Sequence, residues 1–142
     1  MAFAGLSYLA IVLAAVASFL FGGVWYGLLS KQWMDAANIK PEDIKPAGSV
    51  TFAPYVITFV AQLIMAFVLA GVIGHLGQGQ VTLRNGVISG AFIWFGFIAT
   101  SIAVNHTFQM QKRSLTLIDS AHWLGVLLIQ GAIIGVMGLG GP

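Results

Sequence analysis

Asp119 and His122 stand three residues apart near the start of the last apolar stretch of the chain, a spacing that puts both side chains on one face of an α-helix. A carboxylate and an imidazole so placed form an ionisable pair that can pass a proton, or hold a cation or polar ligand, in a partly water-filled cleft. Val126 and Gln130 continue that face at about 100° per residue. Tyr55, Thr58 and Gln62 share a face of an earlier segment, and Ser101 and Asn105, one turn apart, end a third beside His106. A structural role for Asp119 competes with the chemical one. As the N-cap of a helix running from Ser120, its carboxylate would satisfy free amide groups and meet the positive end of the helix dipole. Pairing with Lys112 or Arg113 would instead make it a lock on topology. Capping alone accounts for an acid at this place, so the structural role is the expectation and the ionisable pair its alternative.

Other chemistries find less support. His106, His122 and Asp119 are suitable metal ligands by type, but they are scattered and lack a closely spaced ligand motif, so no metal or cofactor is expected. His75 falls toward the opposite membrane face. Ser120 and His122 on one helix do not give the mutual reach of a nucleophile and base, and no phosphate loop or dinucleotide motif is present. The absence of cysteine excludes disulfides, thiolate metal sites and cysteine nucleophiles. No catalytic residue is assigned, and the expectation is a protein that is not an enzyme.

The elements that position these residues follow from the scarcity of charge. Only 7% of the 142 residues are charged while 58% are hydrophobic, and the mean hydropathy is +0.94. A soluble domain carries about a quarter charged residues. Crossing a bilayer core about 30 Å thick takes roughly 20 apolar residues in helix. The stretches 6–29, 52–76, 86–104 and 115–139 meet that length, and none shows the alternation of a transmembrane β-strand. The expected fold is all-α, an integral membrane four-helix bundle that fills residues 1–142 as a single transmembrane domain. Ala15, Val16 and Ala17 resemble a signal-cleavage sequence, but no basic residue precedes the run and its apolar character continues through Gly27, so it is read as a retained span.

Basic residues set the orientation. Lys31, Lys40 and Lys45 lie between the first and second stretches, Lys112 and Arg113 between the third and fourth, and Arg84 alone between the second and third. The positive-inside rule then puts the first and third loops in the cytoplasm and both termini on the extracytoplasmic side. The pI of 9.2 reflects these flanking residues and calls for no nucleic-acid partner. Tyr8 and Trp25 are separated by about 26 Å of helix, the distance between two interfacial belts. Trp25, Tyr26 and Trp33 mark the cytoplasmic one, with Trp123 at a similar level, whereas Trp94 is expected inside the bundle. Residues 31–38 can form a short interfacial helix, limited by Pro41 and Pro46, and the glycines before Pro142 read as a frayed end.

On this topology Trp25, Tyr26, Tyr55, Asn105, His106, Asp119 and His122 gather toward the cytoplasmic side as a candidate polar cluster. Gln62 and Gln130 lie deeper, where a buried amide pair could bridge two helices. Small residues at four-residue spacing allow helices to pack closely in lipid. Ala10, Ala14, Ser18 and Gly22 make one such stripe, with Gly23 and Gly27 beside it; Ala66, Ala70 and Gly74 make a second, Gly86 and Gly90 a third, and Gly131 and Gly135 a fourth. Stripes in every span point to a tight bundle and to a homo-oligomer or a larger membrane-protein partner.

The run Phe21-Gly22-Gly23-Val24-Trp25-Tyr26-Gly27, continuing to Lys31-Gln32-Trp33-Met34, resembles the opening of the bacterial domain of unknown function 1761 family. Asn105-His106-Thr107-Phe108, then Ser114 to Asp119, His122, Gly131 and Gly135, are similar to that family's second half. The resemblance covers essentially the full chain, with Gly-x-x-Trp-Tyr its most specific element. It implies a small four-span protein of the bacterial cytoplasmic membrane and no assigned activity. The functional expectation is a non-enzymatic membrane protein acting through helix packing, as an oligomer or accessory subunit. The alternative is a small transporter or channel component with a protonatable Asp/His site.

Overall fold

The computed structural model describes residues 5–43 and 52–138, and every regular element among them is helical. The expectations for Lys45, Pro46, Leu139 and residues 140–142 fall outside the described residues. Helix α1 (Tyr8–Leu28) starts where the Ser7 hydroxyl accepts the Ala10 amide at 3.1 Å. A short α2 (Ser30–Ala36) follows a backbone break at Leu29. Helix α3 (Ala53–Gly74) carries Pro54 in its first turn, where a missing N–H costs no intrahelical bond. Helix α4 (Leu83–Ile93) is capped by the Thr82 hydroxyl, which accepts the Asn85 amide at 3.1 Å. It runs through a wide π turn, Trp94–Ala99, into α5 (Thr100–Phe108). Helix α6 (Arg113–Met137) follows a turn at Met110, whose φ is 55°.

Together α4, the π turn and α5 form one rod of 26 residues, Leu83–Phe108. This rod, α1, α3 and α6 are long and apolar enough to cross a membrane. Counting α2, the described residues make five rods, and a plain four-helix count is corrected on that point. The polar run Ser30-Lys31-Gln32 cannot continue into hydrocarbon, so the chain bends at Leu29 and lays Ala36 in a buried position against α6. The third span is also longer at both ends than its apolar stretch. Hydropathy marks the length in hydrocarbon, whereas hydrogen-bonded helix continues past it through Arg84, Asn85 and His106.

Among the described residues α6 touches every other helix. Its tightest seam is with α4. A Cβ on Gly86 would overlap the Gly131 carbonyl, one on Gly131 would overlap the Gly86 carbonyl, and Gly90 and Gly135 meet the backbone at Leu127 and Thr82 in the same way. Only glycine permits this approach. On its other side α6 meets α1, whose stripe of Ala10, Ala14, Ser18 and Gly22 is buried, and Ala66, Ala70 and Ile73 of α3 complete the core. Gly23 and Gly27 lie off these seams. Apart from their own helix, no atom of the described residues lies within 4 Å of where their Cβ atoms would be, so no described helix packs on them. The reason is α3, whose second half packs into the core through Ala66, Leu69, Ala70 and Ile73 while its first turns stand clear, leaving Tyr55, Val56 and Ile57 59%, 58% and 67% exposed.

Candidate functional site

The polar cluster is assembled around one turn of α6. Because that helix begins at Arg113 with Lys112 as its N-cap, Asp119 lies in the second turn and caps nothing. Its Oδ1 accepts a hydrogen bond from the Tyr26 hydroxyl at 2.7 Å, and its Oδ2 lies 3.8 Å from His106 Nε2. His106 Nδ1 is 2.9 Å from Thr116 Oγ1. Neither basic neighbour serves as the lock considered from sequence: Lys112 Nζ donates to the Asp35 carbonyl at 3.0 Å, tying α6 to α2. The residues on either side of Asp119 are held as well. Trp25 Nε1 donates to the Ile118 carbonyl at 3.1 Å and Trp94 Nε1 to the Ser120 carbonyl at 2.7 Å. Both indoles, the first from α1 and the second from the π turn, are thereby turned inward.

The acid–imidazole pair that forms is therefore Asp119 with His106 and not Asp119 with His122. Sharing a helix face brings two side chains to the same side, but their neighbours decide where each points. His122 stacks parallel to Phe21 at 6.0 Å between centroids, with Tyr26 at 4.9 Å and Trp123 at 4.7 Å. Gly22 makes room for this ring, since a Cβ there would stand 2.8 Å from His122 Nε2. Asn105 is exposed and outside the cluster, and His75 is exposed at the far end of α3. Among the described residues no three His, Asp or Glu side chains are grouped to share a metal ion.

Where α3 stands clear of α1, a cleft of about 640 Å³ opens between α1, α3 and α6. Gly23, Gly27 and Tyr26 line it from α1, Tyr55, Thr58 and Gln62 from α3, and His122 and Trp123 from α6. At the level of Gln62 the helices close again through a buried polar knot. Ser18 Oγ donates to Gln62 Oε1 at 2.9 Å, and Gln130 Nε2 donates to Ser18 Oγ and to the Gln62 carbonyl, both at 3.1 Å. The two amides thus meet through Ser18 and the backbone rather than side chain to side chain. Gln62 Nε2, His122 Nδ1 and Gln130 Oε1 are buried and have no hydrogen-bond partner among the described residues. Gln62 is 0% exposed and His122 4%, yet both belong to the cleft wall. A buried polar group left unsatisfied costs about 1–3 kcal/mol, so two among the residues lining one cleft call for an explanation. Sequence reasoning grouped Ser18 and Gly22 with the packing stripe. The hydroxyl of Ser18, level with Gln62, is the signal that marks the stripe's polar role.

Buried small-residue seams, long apolar rods and lipid-exposed aromatic surfaces define a multi-pass helical membrane protein embedded in a lipid bilayer. A family model described as "Protein of unknown function (DUF1761)" matches residues 9–135, and the chain belongs to that family. Neither a curated protein nor a solved structure matches it.

Proposed function

We propose that this is a binding protein of the bacterial cytoplasmic membrane that takes a small ligand from the bilayer into the cleft between α1, α3 and α6. The observation that supports it is the pair of buried, unpartnered groups on the cleft wall, Gln62 Nε2 and His122 Nδ1. A ligand would complete their hydrogen bonding and offset the cost of burying them without partners. In this reading residues 1–142 form one transmembrane domain with four spans and both termini extracytoplasmic, which puts Lys31, Lys40, Lys112 and Arg113 on the cytoplasmic side. The protein acts by binding and not by catalysis.

The test is native mass spectrometry of protein extracted with its own lipid. The parent should carry a bound small molecule, and Gly23→Leu should lose it, because the new side chain enters the cleft without striking any atom near Cβ. A parent with no bound mass refutes the proposal. A second reading, assembly with another copy or a larger membrane subunit, is favoured by Gly23 and Gly27, a small-residue pair that no helix among the described residues covers. The same spectra distinguish it, since a partner's mass would then be lost in Gly23→Leu. The transport alternative loses its Asp119–His122 pair, and Tyr26 separates Asp119 from the cleft.

A further inference from the structure

We infer that the cleft accepts a neutral, lipid-soluble ring compound bearing a carbonyl oxygen, the chemistry of a quinone. The inference rests on the binding role proposed above and concerns binding alone, with no electron transfer. Charge decides the first property. Among the described residues no Asp, Glu, Lys or Arg lines the cleft, and an ion placed there would lose its hydration without gaining a counter-ion from them, at a cost of several kcal/mol. The walls decide the second. Phe19, Tyr26, Tyr55 and Trp123 present aromatic surface, which packs most favourably against another flat ring in offset or edge geometry.

The polar end decides the third. Gln62 Oε1 already accepts from the Ser18 hydroxyl, so what the side-chain amide still offers is its N–H groups, and these need an acceptor. His122, lining the cleft from α6, adds a second unpartnered position in Nδ1, its ring held in place by the rings around it. A ring carbonyl, an acceptor with two lone pairs, satisfies the amide without bringing charge. Size and shape agree. About 640 Å³ lies within the usual range for small-molecule sites. From Phe19 to Gly27 the cleft runs about 12 Å along α1, enough for a substituted ring with the start of a tail leading to lipid.

The experiment titrates the full chain in detergent with decylubiquinone, decylbenzene and decanoate, reading bound fractions by native mass spectrometry. Decylubiquinone should bind at least tenfold more tightly than the other two. Gln62→Met should weaken it roughly fivefold to tenfold, the worth of one hydrogen bond, and leave decylbenzene unchanged. Should that variant fail to fold, Gly23→Leu serves instead and should abolish decylubiquinone binding. Equal binding of decylbenzene or decanoate, or an unaltered quinone affinity in the variant that folds, overturns the inference. If no probe binds but the parent still carries a co-purified molecule, the ring-carbonyl class falls and the binding role stands. If neither is found, both fall.

Discussion

Gly131→Ala and Gly23→Ala make the same chemical change, one methyl added inside a helix, at positions that belong to the same four-residue glycine motif. In a helix free of neighbours alanine is favoured over glycine by up to about 1 kcal/mol. At Gly23 the methyl meets nothing within 4 Å, so that gain survives and the variant should be unchanged or up to about 1 kcal/mol more stable. At Gly131 the methyl would overlap the Gly86 carbonyl, and a backbone atom cannot rotate aside. Helices α4 and α6 must separate instead, and a gap of about 1 Å forfeits up to half the dispersion energy of each atom pair across the seam. Overpacking costs run to about 1–3 kcal/mol. Backbone-on-backbone overlap along the most extensive helix pair in the chain puts Gly131→Ala near the top, a net loss of about 2–3 kcal/mol. Combining it with Gly86→Ala should cost less than the sum, because a seam already opened accommodates the second methyl. Reversible unfolding from dodecylmaltoside into SDS, followed by circular dichroism, measures all four proteins. A Gly131→Ala variant within about 0.5 kcal/mol of the parent, or a Gly23→Ala variant equally impaired, would refute the assignment of one glycine pair to a seam and the other to open space.

The Tyr26–Asp119 hydrogen bond should show a coupling of roughly 1–2 kcal/mol in a double-mutant cycle of Tyr26→Phe and Asp119→Ala, between the average for polar pairs in membrane bundles and that for charge-assisted bonds. Additive losses would mean that the 2.7 Å contact ties α1 to α6 no more strongly than packing does. For topology, the chain lacks cysteine, so thiols introduced at Gln78 and Gln111, both exposed between spans, report their side of the membrane directly. An impermeant maleimide should label Gln78→Cys in intact cells and Gln111→Cys only after lysis, and the reverse pattern inverts the proposed orientation.

Helices were legible in this sequence wherever the cost of charge in hydrocarbon dominates, which is why the four apolar stretches lie close to the four long rods. Their ends were less so, because hydrogen-bonded helix outlasts the apolar run. That difference misplaced Asp119: starting the helix at Ser120 made it a cap, whereas the real start at Arg113 makes it an interior acceptor for Tyr26. The polar residues were recognisable as a set, but their partners were not, since an imidazole three residues from a carboxylate turns toward whichever neighbour fits it. Gly22 and Gly23 show where local pattern stops being informative. They are consecutive, both small and both in the Gly-x-x-Trp-Tyr region, yet one is pressed against His122 while the other faces open cleft. What separates them is the lean of α3, set by Ala66, Ala70 and Ile73 packing tightly at one end and by the knot of Ser18, Gln62 and Gln130 at the middle. Below that knot α3 keeps an edge-on aromatic contact with α1, Phe59 against Phe19 at 5.7 Å between centroids, and the unsatisfied amide of Gln62 sits beside the point where the helices part. In the binding role proposed above, an acceptor on the ligand would complete that amide, whereas a purely packing role would favour an apolar side chain there.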